Sequence, residues 1–163
     1  MRIKNIQDTN FQDYRKTSML IATCYCDGKC WKERGLNASD CQNEELLAEP
    51  IVEVSNDEII QRYLSNPLSE AIIFGGLEPL LQYNELVEFL STLRVEYGCY
   101  DDVVIYTGYE PGERAAELDV LKQYGPLVVK WGRYLPDSTS KYDDVLGISL
   151  ASANQHAERY DIK

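Results

Sequence analysis

Histidine, positive charge and long apolar runs are all scarce in this sequence. Its single histidine, His156, excludes catalytic sites that need a second one. Lysine and arginine number 16 against 27 aspartates and glutamates, and the net charge of -11 repels phosphate backbones and anionic lipid surfaces. No apolar run is long enough to span a bilayer, and residues 1–20 do not resemble a secretory leader. We therefore expect a cytoplasmic protein that binds neither nucleic acid nor membranes.

The composition is that of an ordinary globular domain. Hydrophobic residues make up 44% of the chain and charged residues 26%. A length of 163 residues is enough for one core but short for a complete eight-stranded barrel. Because there is no internal repeat, linker or low-complexity tract, we expect a single domain over residues 1–163.

Short apolar runs alternate with amphipathic segments along the chain. The predicted strands cover residues 19–23, 71–74, 103–106 and 127–130, with a last short one near 145–150. The predicted helices lie between these strands, over residues 55–66, 79–98 and 115–125. This alternation predicts an α/β fold whose parallel sheet of βα units forms an open or partial barrel.

Cysteines are the unusual feature of the sequence. Their number is odd and four of the five are crowded into one loop, which favours metal ligation or redox chemistry over disulfides. The five cysteines are Cys24, Cys26, Cys30, Cys41 and Cys99.

The pair Cys26 and Cys30 is separated by a turn that contains Gly28, and Cys41 can reach back from the same loop. Thiolates are soft donors that suit iron, so this loop predicts an iron–sulfur cluster. Two alternatives remain open at this point. One is a set of inert thiols, and the other is a zinc site that adds Cys24 to the three cysteines. Cys99 is interpreted as a structural thiol.

Each predicted strand is followed by a distinctive segment. The cysteine loop follows the first strand, and residues 75–79, 107–110 and 131–133 follow the next three. Because ligand sites in parallel sheets collect at the carboxyl ends of strands, we expect these four segments to meet at one rim.

These motifs together resemble a known superfamily. The Cys26/Cys30 pair, followed by Phe74-Gly-Gly-Leu-Glu-Pro79, is similar to radical S-adenosylmethionine proteins. Residues 104–109, 130–136 and 150–155 resemble, in order and spacing, segments of the small activating proteins of anaerobic ribonucleotide reductases. The similarity runs from about residue 19 to residue 156.

The resemblance implies a [4Fe-4S] cluster with one open iron, to which S-adenosylmethionine binds. It implies an enzyme that cleaves this cofactor reductively and forms a glycyl radical on an anaerobic ribonucleotide reductase or another glycyl-radical protein. It also implies a small partial barrel and an electron donor of the flavodoxin or ferredoxin type. Lys29, Lys32 and Arg34, beside Cys30, form a local basic face on which an acidic donor would dock.

The resemblance further implies a set of cofactor-binding residues. Gly75, Gly76 and Glu78 would hold the methionine end of S-adenosylmethionine. The residues expected at its nucleoside end are Thr107, Gly108, Asn154 and Gln155.

Two positions depart from the family pattern. The pattern CxxxCxxC would place a third cysteine at position 33, where this chain has Glu33. Cys41 is the preferred third ligand, with Cys24 and Glu33 as alternatives. Leu77 is an additional residue inside the Gly-Gly-Glu-Pro run. An alternative function is therefore that of an iron–sulfur accessory protein that no longer cleaves the cofactor, and a third is a zinc-bound or metal-free interaction domain.

Overall fold

The structure is a computed structural model that describes residues 1–161. Its strands, in chain order, are β1 (Arg2–Ile3), β2 (Asn5–Asn10), β3 (Ser18–Ala22), β4 (Val52–Glu53), β5 (Ala71–Gly75), β6 (Asp102–Tyr106), β7 (Leu127–Trp131), β8 (Lys141–Asp143), β9 (Ile148–Leu150) and β10 (His156–Tyr160). Its α-helices are α1 (Lys29–Lys32), α2 (Glu44–Ala48), α3 (Asn56–Leu64), α4 (Tyr83–Ser91) and α5 (Ala115–Leu121).

Six strands form the central sheet, in the spatial order β10-β7-β6-β5-β3-β2. The four inner strands β3, β5, β6 and β7 run parallel, and the connections between them carry α3, α4 and α5. Both edge strands, β2 and β10, run antiparallel to their neighbours. The expected α/β class is confirmed, but the sheet is mixed at its edges, and the pairing of its described strands does not close it into a barrel.

The helices begin and end where local chemistry favours it. Ser55 caps α3 by accepting a hydrogen bond from the backbone N–H of Glu58 at 3.1 Å. The helix predicted over residues 79–98 is three successive segments: a 3-10 turn (Pro79–Gln82), α4, and a π-helical turn (Thr92–Glu96). The cysteine loop contains two short helices, α1 and α2.

The sheet is buried on both faces, which explains the continuous apolar runs of its inner strands. One face packs under α3, α4 and α5 around Phe74, Phe89 and Trp131. Phe74 and Phe89 meet edge to face, with ring centroids 5.1 Å apart. The other face packs against Tyr14, Leu146 and neighbouring residues in a smaller cluster.

Two sequence expectations differ from the structure. Residues 145–150 contribute β9, which pairs with β8 in a separate hairpin rather than joining the central sheet. The two edge strands of the central sheet, β2 and β10, lie in segments that carried no strand prediction. None of the helices in the described part of the chain has the length and apolar character needed to cross a membrane.

Candidate metal centre

The site lies where β3, β5, β6 and β7 end. Parallel pairing aligns these carboxyl ends along one edge of the sheet, so the segments that follow them meet there. A cavity opens among them. Its lining includes the three predicted ligands Cys26, Cys30 and Cys41, together with Gly76, Glu78 and Gly108, so it joins loops that are far apart in sequence.

Gly28 shapes the turn between Cys26 and Cys30. Its φ of 69° lies in the left-handed region, which only glycine adopts without strain. A Cβ at this position would lie 2.6 Å from the ring of Trp31, so the indole packs directly over the glycine. The turn therefore needs glycine for two reasons, its backbone conformation and the space that Trp31 occupies.

The cysteine sulfurs receive backbone N–H groups. The N–H of Gly28 donates to Cys26 Sγ at 3.3 Å, and the N–H of Asn43 donates to Cys41 Sγ at 3.4 Å. The backbone N–H of Tyr134 faces Cys30 and stabilises its thiolate form. Such N–H groups stabilise negative charge on sulfur, as a thiolate ligand requires.

Burial acts in the opposite direction on two of these thiols. Cys26 belongs to an exposed part of the loop, but the protein around its sulfur raises the pKa of the thiol to about 11. Burial also raises the pKa of Cys30. Both thiols are therefore protonated at neutral pH in the cluster-free protein, and each loses a proton when it binds a metal.

Glu78 connects three of the four segments. Its Oε1 accepts hydrogen bonds from Thr107 Oγ1 at 2.8 Å and from the N–H of Leu80 at 3.1 Å, and its Oε2 accepts one from the N–H of Gly108 at 2.8 Å. Its own N–H donates to the carbonyl of Tyr25 at 2.7 Å. Burial raises the pKa of this carboxyl group, and the three donors oppose that effect. Glu78 thus fixes the rim and also caps the turn that begins at Pro79.

The two glycines that precede Leu77 occupy different positions. Gly76, with a φ of 77°, lines the cavity, and a Cβ there would lie 2.6 Å from Leu46 Cδ2. Gly75 ends β5 and lines a second, adjoining groove. This groove shares Gly76 and Tyr106 with the cysteine cavity, so the two spaces lie side by side.

The residues expected at the nucleoside end are divided. Gly108 lines the cavity, while Thr107 is buried beneath it and bonded to Glu78. Asn154 and Gln155 lie outside the cavity and support the turn after β7. Asn154 Nδ2 donates to the carbonyl of Arg133 at 3.0 Å, and Gln155 Nε2 donates to the carbonyl of Gly132 at 3.3 Å.

Neither alternative third ligand lines the cavity. The thiol of Cys24 is buried on the other side of the loop, near the charges of Lys4 and Glu85. Glu33 is ion-paired with Arg133, with a distance of 2.6 Å between Arg133 Nε and Glu33 Oε2. Cys99 precedes β6 and so lies at the opposite end of the sheet.

A zinc ion would need four donors at about 2.1–2.3 Å from one point. Within residues 1–161 the structure contains no group of three or more His, Cys, Asp or Glu side chains placed to hold one metal ion. In a [4Fe-4S] cluster each thiolate binds a different iron, so the sulfurs stand further apart around the cluster. Three thiols that line one cavity are the donors that a cluster with three protein ligands needs.

Sequence reasoning missed two charged residues of the site. Lys130 is only 7% exposed, its Nζ donates to the carbonyl of Gly132 at 2.9 Å, and burial lowers its pKa to about 8. The signal was present, because a lysine inside the apolar strand 127–131 is unusual. Arg133 joins Glu33 and Glu113, and no local pattern indicates such contacts. Four aromatic residues also line the cavity: Trp31, Tyr106, Tyr109 and Tyr134.

Three cysteines around one cavity, at the strand ends of an α/β sheet, define a cysteine-ligated cluster domain. The model of the family described as "4Fe-4S single cluster domain" matches residues 18–155, and the chain belongs to that family. Comparison with curated proteins and with solved structures gives no match. The matched region contains all three cavity cysteines, so the chain is an iron–sulfur cluster-binding domain whose thiols fit the [4Fe-4S] group.

Proposed function

We propose that this domain is a radical S-adenosylmethionine enzyme. The observation that carries the proposal is the shared cavity, in which three cysteines face the glycine-rich segment at Gly76 and the turn at Gly108. Three protein ligands leave one iron of a four-iron cluster without a protein ligand. When bound, a reduced cluster supplies one electron to the sulfonium of S-adenosylmethionine, which divides into methionine and a 5′-deoxyadenosyl radical. The largely parallel α/β sheet, which brings these segments to one edge, supports the proposal.

The chain's own groups suit the two ends of this cofactor. Gly76 has no side chain, so its backbone allows close approach by the methionine end. The rings of Trp31 and Tyr109 offer apolar faces for an adenine base. Buried Glu78 holds the loops in place and would exclude water from the methionine end.

We propose that the adjoining groove receives the protein substrate of this radical. Its walls carry amide side chains, among them Asn5, Gln7, Gln12 and Asn43, which can both donate and accept hydrogen bonds. A glycine-bearing backbone segment presents complementary N–H and C=O groups. We propose that such a segment of an anaerobic ribonucleotide reductase, or of another glycyl-radical protein, enters here. The 5′-deoxyadenosyl radical would take one hydrogen atom from the glycine Cα, which gives 5′-deoxyadenosine and a glycyl radical.

The electron would come from a flavodoxin or ferredoxin. The predicted basic face lies beside the cavity, but each of its charges already has a partner. Lys29 pairs with Glu113 at 3.2 Å, Lys32 Nζ donates to the carbonyl of Asp27 at 2.6 Å, and Arg34 lies 4.0 Å from an exposed aspartate. Docking of an acidic donor at this face remains a proposal, and it requires these pairs to be exchanged for contacts with the donor.

The test is anaerobic purification with measurement of iron and sulfide, followed by addition of dithionite and S-adenosylmethionine. We expect 5′-deoxyadenosine and methionine to form. In Gly76→Ala, the added methyl group meets Leu46, so cleavage should fall by about 10²-fold while iron is retained. The control is Gly98→Ala, at a similar φ of 59° but with no atom within 4 Å of the added Cβ. A full cluster without 5′-deoxyadenosine in the wild-type protein would reject the enzyme.

One observation favours a second candidate, an iron–sulfur accessory protein that does not cleave the cofactor. Both oxygens of Glu78 already accept hydrogen bonds from the protein, and Leu46 covers Gly76. Cofactor binding at this end would require Leu46 to move. The same experiment separates the two candidates, because the accessory protein would contain iron and sulfide and give no 5′-deoxyadenosine.

A further inference from the structure

Arg133 has more ionic contacts than any other side chain at the rim. It binds Glu33 in a bidentate pair, with Nε to Oε2 at 2.6 Å and Nη2 to Oε1 at 2.9 Å. It binds Glu113 in the same way, at 2.7 and 2.9 Å. Its Nη1 also donates to the carbonyl of Gly108 at 3.0 Å. Only 14% of the Arg133 side chain is exposed, so this network is better shielded than an ordinary surface pair.

Two of these contacts, those with Glu33 and Gly108, lead to the sulfur of Cys30. Glu33 is the C-cap of α1, the short helix that carries Cys30. A Cβ at Gly108 would lie 3.1 Å from Cys30 Sγ, so the sulfur rests directly on the Gly108 backbone. Tyr134, whose N–H faces Cys30, is the next residue after Arg133. Arg133 therefore holds the helix that carries the sulfur, the surface beneath it and the donor beside it.

We infer that Arg133 is a positioning residue for the cluster, and that it acts through Glu33 and Gly108 to fix the Cys30 sulfur. Position 33 is where the resembled superfamily has a third cysteine. In this chain an ion pair ties that point of the loop to the rim, and Cys41 supplies the third thiol to the cavity. The inference rests on cluster binding and is independent of S-adenosylmethionine cleavage.

The chemistry of the guanidinium suits this role. The neighbouring carboxylates raise the pKa of Arg133, and Arg133 lowers that of Glu113, so the Arg133–Glu113 pair stays ionised at neutral pH. Lysine could match the charge but not two parallel pairs of hydrogen bonds, because it lacks the planar fork. Arg133→Lys therefore separates the contribution of geometry from that of charge.

The test compares Arg133→Gln, Arg133→Lys and Glu33→Gln with the wild-type full-length chain after anaerobic cluster reconstitution. The measurements are iron retention against a chelator and the electron paramagnetic resonance spectrum of the dithionite-reduced cluster. We expect iron affinity to fall by about tenfold or more in all three variants, the range for second-layer ligand partners. The spectrum should shift because Cys30 meets its iron in a changed geometry.

Asp8→Asn is the matched control. Asp8 and Arg62 also form a bidentate pair, at 2.5 and 2.8 Å, and Asp8 is 48% exposed, like Glu33. This control should keep the wild-type iron affinity and spectrum. The double variant Glu33→Gln/Arg133→Gln should be no worse than Arg133→Gln alone, because both changes remove the same pair.

Thermal unfolding of the cluster-free variants checks that they fold, and Glu33→Gln, at a half-exposed position, is expected to do so. Wild-type iron affinity and an unchanged spectrum in Glu33→Gln and Arg133→Gln would overturn the inference. An equal loss in Asp8→Asn would overturn it as well. Absence of iron from the wild-type protein would overturn it together with cluster binding itself.

Discussion

The first part of the cysteine loop, residues 26–33, is tied to other segments of the rim, whereas the second part, residues 34–46, is tied mainly to itself. Tyr109 Oη donates to Asp27 at 2.6 Å, and Lys29 and Glu33 form ion pairs with the loops after β6 and β7. Within the described chain, the hydrogen bonds of residues 34–46 run to residues 31–49, and the nearest tie to another segment is that of Lys4 Nζ to the carbonyl of Leu47 at 3.1 Å. Two of the contacts that this second part makes outside the loop are the packing of Leu46 on Gly76 and the 4.0 Å approach of Arg34 to Asp137.

This difference separates two ways of placing a ligand. Cys26 and Cys30 are positioned by the rim before any metal binds. Cys41 is positioned by its own turn, in which the backbone N–H groups of Cys41 and Asp40 close back on Ala38 and Asn37. Cluster binding would therefore order the second part of the loop, since metal binding and local folding are coupled.

The largest effect is expected when the cysteine ligands are replaced one at a time. We expect Cys30→Ser and Cys41→Ser each to lose essentially all stable cluster, although they lie in the differently held parts of the loop. Cys24→Ser and Cys99→Ser are the controls, because their thiols lie outside the cavity. The measurement is iron and sulfide per chain after anaerobic reconstitution. An intact cluster in Cys41→Ser would place the third ligand elsewhere.

Much of this site was predictable because its signals are local. The Cys26/Cys30 spacing, the glycines 75–76 and the apolar runs of the inner strands are each read from a few neighbouring residues. Edge strand β2 is polar (Asn5–Asn10), and β10 contains His156, so neither has the apolar pattern of a buried strand. Each edge strand has a neighbouring strand on one side only. Its side chains are therefore packed less tightly than those of an inner strand, and they need not be apolar.

Long-range contacts could not be predicted from the sequence. Arg133 and Glu33 are 100 positions apart, and their pairing depends on the alignment of β7 with the cysteine loop. The choice between Cys41 and Cys24 depends on the direction in which each side chain points. Only the structure shows that Cys41 lines the cavity and that Cys24 is buried away from it. One-dimensional spacing does not indicate to which side of a loop a thiol points.

The two parts of the loop also differ in their surroundings, because the buried cation Lys130 lies near Cys30, in the first part. Burial lowers the pKa of Lys130 to about 8 from 10.5, so between these pH values the unfolded chain binds more protons than the folded chain. The free energy of unfolding should therefore rise with pH across this range, by on the order of 3 kcal/mol from this residue. Lys130→Met should lack that contribution and should be more stable than the wild-type protein at pH 7.

The measurement is urea unfolding of the cluster-free protein at pH 7 to 10, compared between wild type and variant. The raised pKa values of the thiols make the free energy of unfolding fall as pH rises, and they do so in both proteins. The quantity to compare is therefore the difference in free energy of unfolding between wild type and variant at each pH. Lys141→Met, at an exposed position, should track the wild-type curve. Parallel curves for wild type and Lys130→Met would mean that Lys130 does not bury its charge.

The smallest expected effect is the difference in stability between two glycine variants, one in each part of the loop. Gly28 and Gly35 have nearly the same φ, 69° and 66°, so alanine at either position carries a similar backbone strain of about 1–2 kcal/mol. A Cβ at Gly28 would meet Trp31 at 2.6 Å, whereas a Cβ at Gly35 would have no atom within 4 Å. Gly28→Ala should therefore cost a further ~1–3 kcal/mol of overpacking.

Urea unfolding of the two cluster-free variants gives these costs, and iron retention after reconstitution shows whether they reach the ligands. Gly35→Ala should keep its iron, because residue 35 lies in the part of the loop that adjusts as the cluster binds. Gly28→Ala should bind iron more weakly, because moving Trp31 moves the turn between two ligands. Equal losses of stability and of iron in both variants would mean that Trp31 moves away from the added methyl group at little cost. The first part of the loop would then be no more rigid than the second.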